Sequence, residues 1–198
     1  MAELAAIIRN SIVLLPVTGT NFDVAFSPLA DPDPALPPQF TIATFKKEPQ
    51  VVTQWCWAAI TVAINETYLR AGFPGESLQK CQIVDRQYPG NNCCTNSENN
   101  MCNQQGQLKE ALKSIDRLAR ALPSVDIPFE ILKHEIAHGR PVGVRILTND
   151  DTYHFVAIYG YAPNYDLLVW DPAGHDQQLR IGEWSEFFGT WLQTYFTK

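Results

Sequence analysis

The chain has 198 residues, of which 45% are hydrophobic and 11% are aromatic. This is enough apolar material for one folded domain and excludes a globally disordered chain. A formal net charge of −6, with no lysine- or arginine-rich run, argues against a surface built to bind nucleic acid. No apolar stretch reaches the length that predicts a transmembrane helix.

Residues 1–47 are predicted to be an N-terminal extension, and residues 48–198 to be the main domain. The extension contains a proline-rich segment at 27–38, which favours an extended linker over a regular helix. Short strands are predicted on either side of it, at 10–16 and 39–45. The pattern is compatible with two roles for the extension, a part of the sheet or a removable pro-segment.

The main domain begins with helices. One is predicted from about Trp55 to Arg70 with Thr53 as its N-cap, and its apolar residues lie almost all round it, which indicates burial. Ser77 is predicted to cap a shorter helix that runs to Tyr88. Apolar residues at helical spacing predict a third, amphipathic helix, and these are Leu108, Leu112, Ile115, Leu118 and Leu122.

A fourth, short helix is predicted at about 128–138, where a Gly-Arg-Pro sequence ends it. After it, the spacing of apolar residues changes to that of strands. The predicted strands are Val142–Leu147, His154–Tyr161, Leu167–Trp170, Gln178–Ile181 and Trp191–Phe196. Helices followed by antiparallel strands predict an α+β fold.

The five cysteines divide into Cys56, which stands alone, and a cluster of four. Cys81, Cys93, Cys94 and Cys102 favour two disulfides, which need an oxidising compartment. Because a bridge between adjacent cysteines strains the backbone, we expect Cys81 to pair with Cys93 or Cys94, and Cys102 with the other. Free thiols are the alternative, and the wide spacing disfavours zinc. We therefore expect a secreted or exported protein, although its N-terminus does not read as a secretory signal.

Cys56 lies in the first turn of the predicted helix, where the helix dipole and unpaired N–H groups favour a thiolate. By itself it fits a small buried core residue better, because most free cysteines are of that kind. Gln50 and Gln54 precede it, and either side-chain amide could donate a hydrogen bond to a developing oxyanion together with the Cys56 N–H.

His154 and Asp171 supply an imidazole and a carboxylate. If Pro163 and Asn164 form the centre of a hairpin, Asp171 lies opposite Val156 and on the same face as His154. A slip of one residue in this register would place them on opposite faces. With Cys56 and a glutamine, the set contains the groups that acyl transfer by a cysteine nucleophile requires.

These residues resemble the papain-like cysteine peptidases, and especially the compact bacterial branches that include leader-peptide peptidases and secreted effector proteases. The resemblance covers about residues 48–172. It rests on Gln50, Trp55-Cys56-Trp57-Ala58, Gly139-Arg140-Pro141-Val142, His154-Phe155-Val156 and Trp170-Asp171-Pro172. It implies a papain-like α+β fold, with the helix that carries the nucleophile packed on a C-terminal antiparallel sheet.

The resemblance also implies the role of each residue. Cys56 would be the nucleophile, and His154 the general base and acid. Asp171 would orient the imidazole, and Gln50 would form the oxyanion hole. The implied substrate is a peptide or protein, and no cofactor is implied. Two positions depart from the plant and lysosomal members, since Thr53 replaces a disulfide cysteine and Asp171 replaces an asparagine.

A competing motif lies at 134–138, which reads His-Glu-Ile-Ala-His and matches the zinc-protease pattern His-Glu-x-x-His. The apolar face of its predicted helix (Phe129, Leu132 and Ile136) lies nearly opposite both histidines. No third ligand follows at a short interval, so we predict no metal site.

Two other functions remain open at this point. The same catalytic residues could pass the acyl group to an amine or deamidate glutamine, as in a secreted effector or toxin. The chain could also be a catalytically silent binding module that retains the fold.

Overall fold

A computed structural model of the protein describes residues 36–123 and 127–198. Within these ranges the helices are α1 (Cys56–Arg70), α2 (Lys80–Gln87), α3 (Leu108–Ser114), α4 (Phe129–Ala137) and α5 (Trp184–Phe188). The strands are β1 (Phe40–Thr41), β2 (Leu118–Pro123), β3 (Val142–Leu147), β4 (Tyr153–Ala162), β5 (Asp166–Asp171), β6 (His175–Arg180) and β7 (Thr190–Thr197). All their pairings are antiparallel, in the order β2-β7-β3-β4-β5-β6, and β1 pairs with β4.

The sheet carries a hydrophobic core on each face because successive side chains of a strand point to opposite sides. In β4, Phe155 and Ala157 pack in the cluster formed with α1, α2 and α3. Their neighbours Val156 and Ile158 pack in the cluster formed with α4 and α5. This is the predicted α+β layout, in which α1 packs on a C-terminal antiparallel sheet.

Helix α1 is buried along most of its length, as its all-round apolar sequence predicts. Trp57, Ala58, Ala59 and Ile60 have no exposed surface. Burial of each large apolar side chain contributes about 1.5–3 kcal/mol to folding. This packing holds the helix, and the first residue of it, in a fixed position.

The predicted N-cap of α1 is wrong. Trp55 occupies that position, and no side chain in the described ranges caps the helix. The Thr53 hydroxyl instead accepts a hydrogen bond from Asn103 Nδ2 at 3.0 Å, and Trp55 N–H closes a turn onto the Val52 carbonyl. Cys56 is consequently the first residue of the helix.

The predicted cap of the second helix is also wrong. Ser77 Oγ donates a hydrogen bond to Glu66 at 2.6 Å, three residues before α2 begins at Lys80. The reciprocal side-chain and backbone hydrogen bonds of Gln79 and Gln82 cap the helix instead.

The long helix predicted through Leu122 is wrong in its second half. α3 ends at Ser114, and β2 then pairs with β7. Asp116 has a φ of 53°, a left-handed conformation that interrupts a helix. Pairing with the sheet therefore prevails over the helical spacing of the leucines, since short apolar runs fit either structure.

The described part of the predicted extension lies on the sheet. Phe40 pairs with Tyr161 in β4, and the Tyr161 hydroxyl donates a hydrogen bond to the Pro37 carbonyl at 2.9 Å. The strand predicted at 39–45 is thus only two residues long, and the one predicted at 10–16 lies outside the described residues. The boundary after residue 47 stays a prediction. None of the described helices combines the length and apolar character needed to cross a membrane.

Candidate active site

Cys56 is the free cysteine of this chain, and it is 6% exposed at the start of α1. A residue at this position has a backbone N–H that the helix itself cannot pair, and it lies at the positive end of the helix dipole. The helix therefore places a thiol and a hydrogen-bond donor at the same point.

His154 and Asp171 form a hydrogen-bonded pair between β4 and the end of β5. His154 Nε2 donates to Asp171 Oδ1 at 2.7 Å, and the two side chains are only 17% and 15% exposed. The same carboxylate oxygen accepts the backbone N–H of Ala173 at 2.8 Å, which fixes its orientation. Interaction with Cys56 is among the causes that raise the pKa of His154, which indicates that the thiol lies close to the imidazole.

The hairpin that joins His154 to Asp171 differs from the predicted one in two ways that cancel. Its loop has three residues, Pro163–Tyr165, rather than two, which alone would shift the register by one. A β-bulge at Tyr159 shifts the register back, so that Ala157 pairs with Trp170. Continued by one residue, this register sets Asp171 opposite Val156, on the face that carries His154.

The bulge is supported by the first strand. The Tyr159 carbonyl accepts the N–H of Ile42 at 3.0 Å, and the Tyr159 ring stacks on Phe45 at 4.9 Å between centroids. The next residue, Gly160, lies against Phe40, where an added Cβ would come within 3.0 Å of the carbonyl oxygen and 2.6 Å of Leu168. The segment around β1 thus helps to align the histidine and the carboxylate.

The pKa of His154 is strongly raised. Burial alone lowers the pKa of an imidazole, but hydrogen bonds to Asp171 and Cys56 and the negative charges of these groups outweigh it and raise the pKa to about 10. His154 is therefore an imidazolium at neutral pH. An imidazolium beside a thiol is the arrangement in which cysteines react as thiolates.

We expect Asp171→Asn to move the alkaline limb of the pH–activity profile to lower pH. The amide keeps an oxygen that accepts the His154 hydrogen bond but loses the charge that raises the pKa of His154, so the imidazolium is lost at lower pH. Asp171→Ala removes both and should lower kcat/KM by about 10²–10⁴-fold. Profiles of kcat/KM against pH for the three proteins test this, and an unmoved limb in Asp171→Asn would contradict it.

Gln50 lies in the segment that leads into α1. Its backbone N–H donates to the Pro172 carbonyl at 2.8 Å, next to Asp171, and its Nε2 donates to the Thr53 carbonyl at 3.2 Å. An amide nitrogen carries two hydrogens, so one is left for another acceptor. Its Oε1 is buried without a partner among the described residues. Gln54 instead uses its backbone N–H, which Asn103 Oδ1 accepts at 3.0 Å.

The disulfides join Cys81 to Cys94 and Cys93 to Cys102, one of the two pairings that the sequence left open. The second bridge holds a loop at 102–106 against the start of α1. Trp55 Nε1 donates to the Cys102 carbonyl at 2.8 Å, and Trp57 Nε1 donates to the Gln104 carbonyl at 3.2 Å.

This loop is a part of the site that the sequence analysis missed. A Cβ added to Gly106 would lie 2.2 Å from the Trp57 ring, so only glycine allows the backbone to come so close to α1. The one available signal was a glycine shortly after a cysteine of the cluster, which does not by itself indicate contact with a helix 50 positions earlier in the chain.

Two cavities flank the catalytic candidates. One of about 30 Å³ is lined by Cys56 and Trp57 and by the Gly106 loop. Another of about 180 Å³ is lined by His154, Asp171 and the two phenylalanines of α5, Phe187 and Phe188. Each of the three candidate residues Cys56, His154 and Asp171 therefore lines one of these two cavities.

The histidines of the competing motif do not join this site. The rings of His134 and His138 contact each other at a tilt of 36°, with 4.2 Å between centroids. The buried residues of α4 are Leu132 and Ile136. In the described ranges, no group of three or more potential ligands is placed to hold a metal ion.

Comparison with known proteins gives the family and the fold. The model of the Peptidase_C39-like family matches residues 42–198. Digestive procathepsin L 3 from Tenebrio molitor larval midgut is 14% identical with a TM-score of 0.55, over 82% of this chain and 70% of that chain.

Two more solved structures are similar over comparable lengths. The proform of Amb a 11, a cysteine protease and major ragweed pollen allergen, is 16% identical (TM-score 0.46, 82% of this chain, 66% of that chain). A Bacillus anthracis protein assigned as a C39-like peptidase is 13% identical (TM-score 0.48, 81% and 98%). No curated protein matches the sequence. The similarity to procathepsin L 3 shows a papain-like fold, and on the family match this chain belongs to the Peptidase_C39-like family.

Proposed function

We propose that the protein is a cysteine endopeptidase that hydrolyses peptide bonds through an acyl-enzyme on Cys56. The observation that carries the proposal is the half-buried His154, which is bound to Asp171 at 2.7 Å and whose pKa is raised by interaction with Asp171 and with the free thiol at the start of α1. Membership of a peptidase family supports a peptide or protein as the substrate.

In the first half of the reaction, the Cys56 thiolate attacks the scissile carbonyl and a C–S bond forms. The negative charge moves to the carbonyl oxygen, where the Cys56 N–H and the second hydrogen of Gln50 Nε2 would stabilise it. The C–N bond then breaks, and the His154 imidazolium gives its proton to the leaving amine.

In the second half, the neutral His154 takes a proton from a water molecule that attacks the thioester. The C–S bond breaks, the new carboxylate leaves, and the thiolate and imidazolium are restored. Asp171 holds the imidazole in one orientation through both halves, because its carboxylate is itself fixed by the Ala173 N–H.

The two disulfides bear on where this reaction takes place. Such bridges persist in oxidising compartments and are rare in the cytosol. We therefore propose that the protein acts after export. A role as a secreted bacterial effector is compatible with these features.

The reaction is tested by products. The protein is incubated with a diverse peptide mixture in H₂¹⁸O, and the products are analysed by mass spectrometry. Hydrolysis predicts new C-termini that carry ¹⁸O. Products joined to an added amine would instead indicate acyl transfer by the same residues. Full-length peptides with glutamine converted to glutamate would indicate deamidation. Unchanged peptides together with no labelling of Cys56 by a thiol-directed epoxide would contradict both.

A further inference from the structure

The small cavity beside Cys56 has a distinctive charge. Its walls come from the start of α1 (Cys56 and Trp57), the loop residues 105–107, and three residues of the sheet, Arg145, Tyr153 and Phe155. Arg145 is the one charged side chain among these described lining residues. The cavity is therefore lined both by the Cys56 thiol and by a side chain with a permanent positive charge.

Arg145 is half-buried, and among the described residues it lacks the hydrogen-bonded partner that such a guanidinium normally has. Its Nε is buried without a hydrogen bond, and no ion pair involves it within residues 36–123 and 127–198. A polar group in this condition is destabilising unless a partner arrives. The missing partner is an acceptor, because a guanidinium has five N–H donors and no acceptor.

The guanidinium is nevertheless held in place. It stacks over the Tyr153 ring, with Cζ 4.1 Å from the centroid, and its strand position pairs with Phe155 in β4. Trp57 is fully buried and Phe155 is 5% exposed, so two nearly dry aromatic rings lie beside the charge. A low local dielectric strengthens the attraction between Arg145 and any anion that enters.

From these observations we propose that Arg145 is a specificity-determining residue that binds the carboxylate of an aspartate or glutamate in the substrate, close to the scissile bond. The inference rests on the proposed peptidase function and adds the class of peptide that is cleaved. A planar guanidinium binds a carboxylate through two parallel hydrogen bonds. An amide or hydroxyl group of a substrate would form fewer hydrogen bonds with it.

The size of the cavity supports a small anionic group. Its volume is about 30 Å³, more than the ~10–15 Å³ that a cavity needs to admit one water molecule. The space therefore suits a small polar group better than an aromatic ring. The net charge of −6 would repel an acidic peptide in general, which makes a local positive charge necessary for this preference.

The test is a cleavage profile over a peptide library in which each position near the scissile bond is varied. We expect the wild-type protein to prefer Asp or Glu at one position over Asn or Gln by roughly 10- to 100-fold in kcat/KM. Arg145→Gln should abolish this preference, and Arg145→Glu should convert it to one for Lys or Arg. Arg145→Lys should keep the sign with a smaller ratio, because an ammonium is a point charge without the fork geometry.

Arg180→Gln is the matched control, since it makes the same change at an arginine whose side chain is 62% exposed on β6. It should leave the preference unaltered. A wild-type protein that is labelled at Cys56 and cleaves peptides without an acidic preference overturns this inference alone, as does a preference that survives in Arg145→Gln. A protein that is neither labelled nor active overturns the proposed function, and this inference with it.

Discussion

Substitution of Cys56 by alanine should abolish both peptide hydrolysis and labelling by a thiol-directed epoxide. The thiolate is the group that forms the bond to the substrate, and neighbouring residues offer no second nucleophile in its place, since the other four cysteines are in disulfides. Loss of a nucleophile that acts with its base costs on the order of 10⁶-fold in kcat. Peptide hydrolysis close to the limit of detection is therefore expected.

The fold of this variant should persist, because the substitution removes one sulfur atom from the end of a helix that is otherwise unchanged. Circular dichroism and the melting temperature verify this. Cys56→Ser is the matched variant, in which a hydroxyl of similar size replaces the thiol. It should also be inactive, because a serine hydroxyl does not ionise as readily as a thiol. Labelling or turnover that persists in Cys56→Ala would refute the assignment.

The disulfide between Cys93 and Cys102 should matter for stability and for activity. Replacing both residues by alanine opens a loop with a sequence separation of 9, which should lower the free energy of unfolding by roughly 2.5–3 kcal/mol on the chain-entropy model. It also releases the segment that binds Trp55 at the start of α1. We therefore expect a lower kcat/KM as well as a lower melting temperature.

The other disulfide is the natural control. Cys81 and Cys94 have a sequence separation of 13, so the entropic cost of removing this bridge is almost the same. The hydrogen bonds to Trp55 and Trp57, however, come from the loop that begins at Cys102. Chemical unfolding should show that the two variants lose similar amounts of stability. Measurements of kcat/KM should show that the Cys93/Cys102 variant loses more activity than the Cys81/Cys94 variant. Equal activities would contradict this, and four free thiols in the native protein would exclude both bridges.

Local sequence predicted those parts of the site that depend on near neighbours in the chain. The all-round apolar residues of 55–70 indicate a buried helix, and Cys56 stands at its beginning whichever residue caps it. The alternating residues of 142–147 give strand β3 at its observed bounds. The segments around Cys56, His154 and Asp171 were sufficient to identify the family.

Other features are contacts between residues far apart in the chain, and no local pattern encodes them. The helical spacing from Leu108 to Leu122 is compatible with a helix, yet β7, more than 60 residues later, pairs with Leu118–Pro123 and makes it a strand. In the sequence, Arg145 has no feature that distinguishes it from other strand residues. It lies beside Cys56 only because β3, the Gly106 loop and α1 meet around one cavity.

What the sequence determined by itself is the fold class, the family and the four candidate catalytic groups, because periodicity and short motifs are local properties. Only the tertiary structure decided how the His154–Asp171 pair is aligned. The three-residue turn and the bulge at Tyr159 each shift the register by one residue in opposite directions. A bulge depends on the partner strand and on the support of Ile42 and Phe45, so its position becomes fixed only when distant segments pack together.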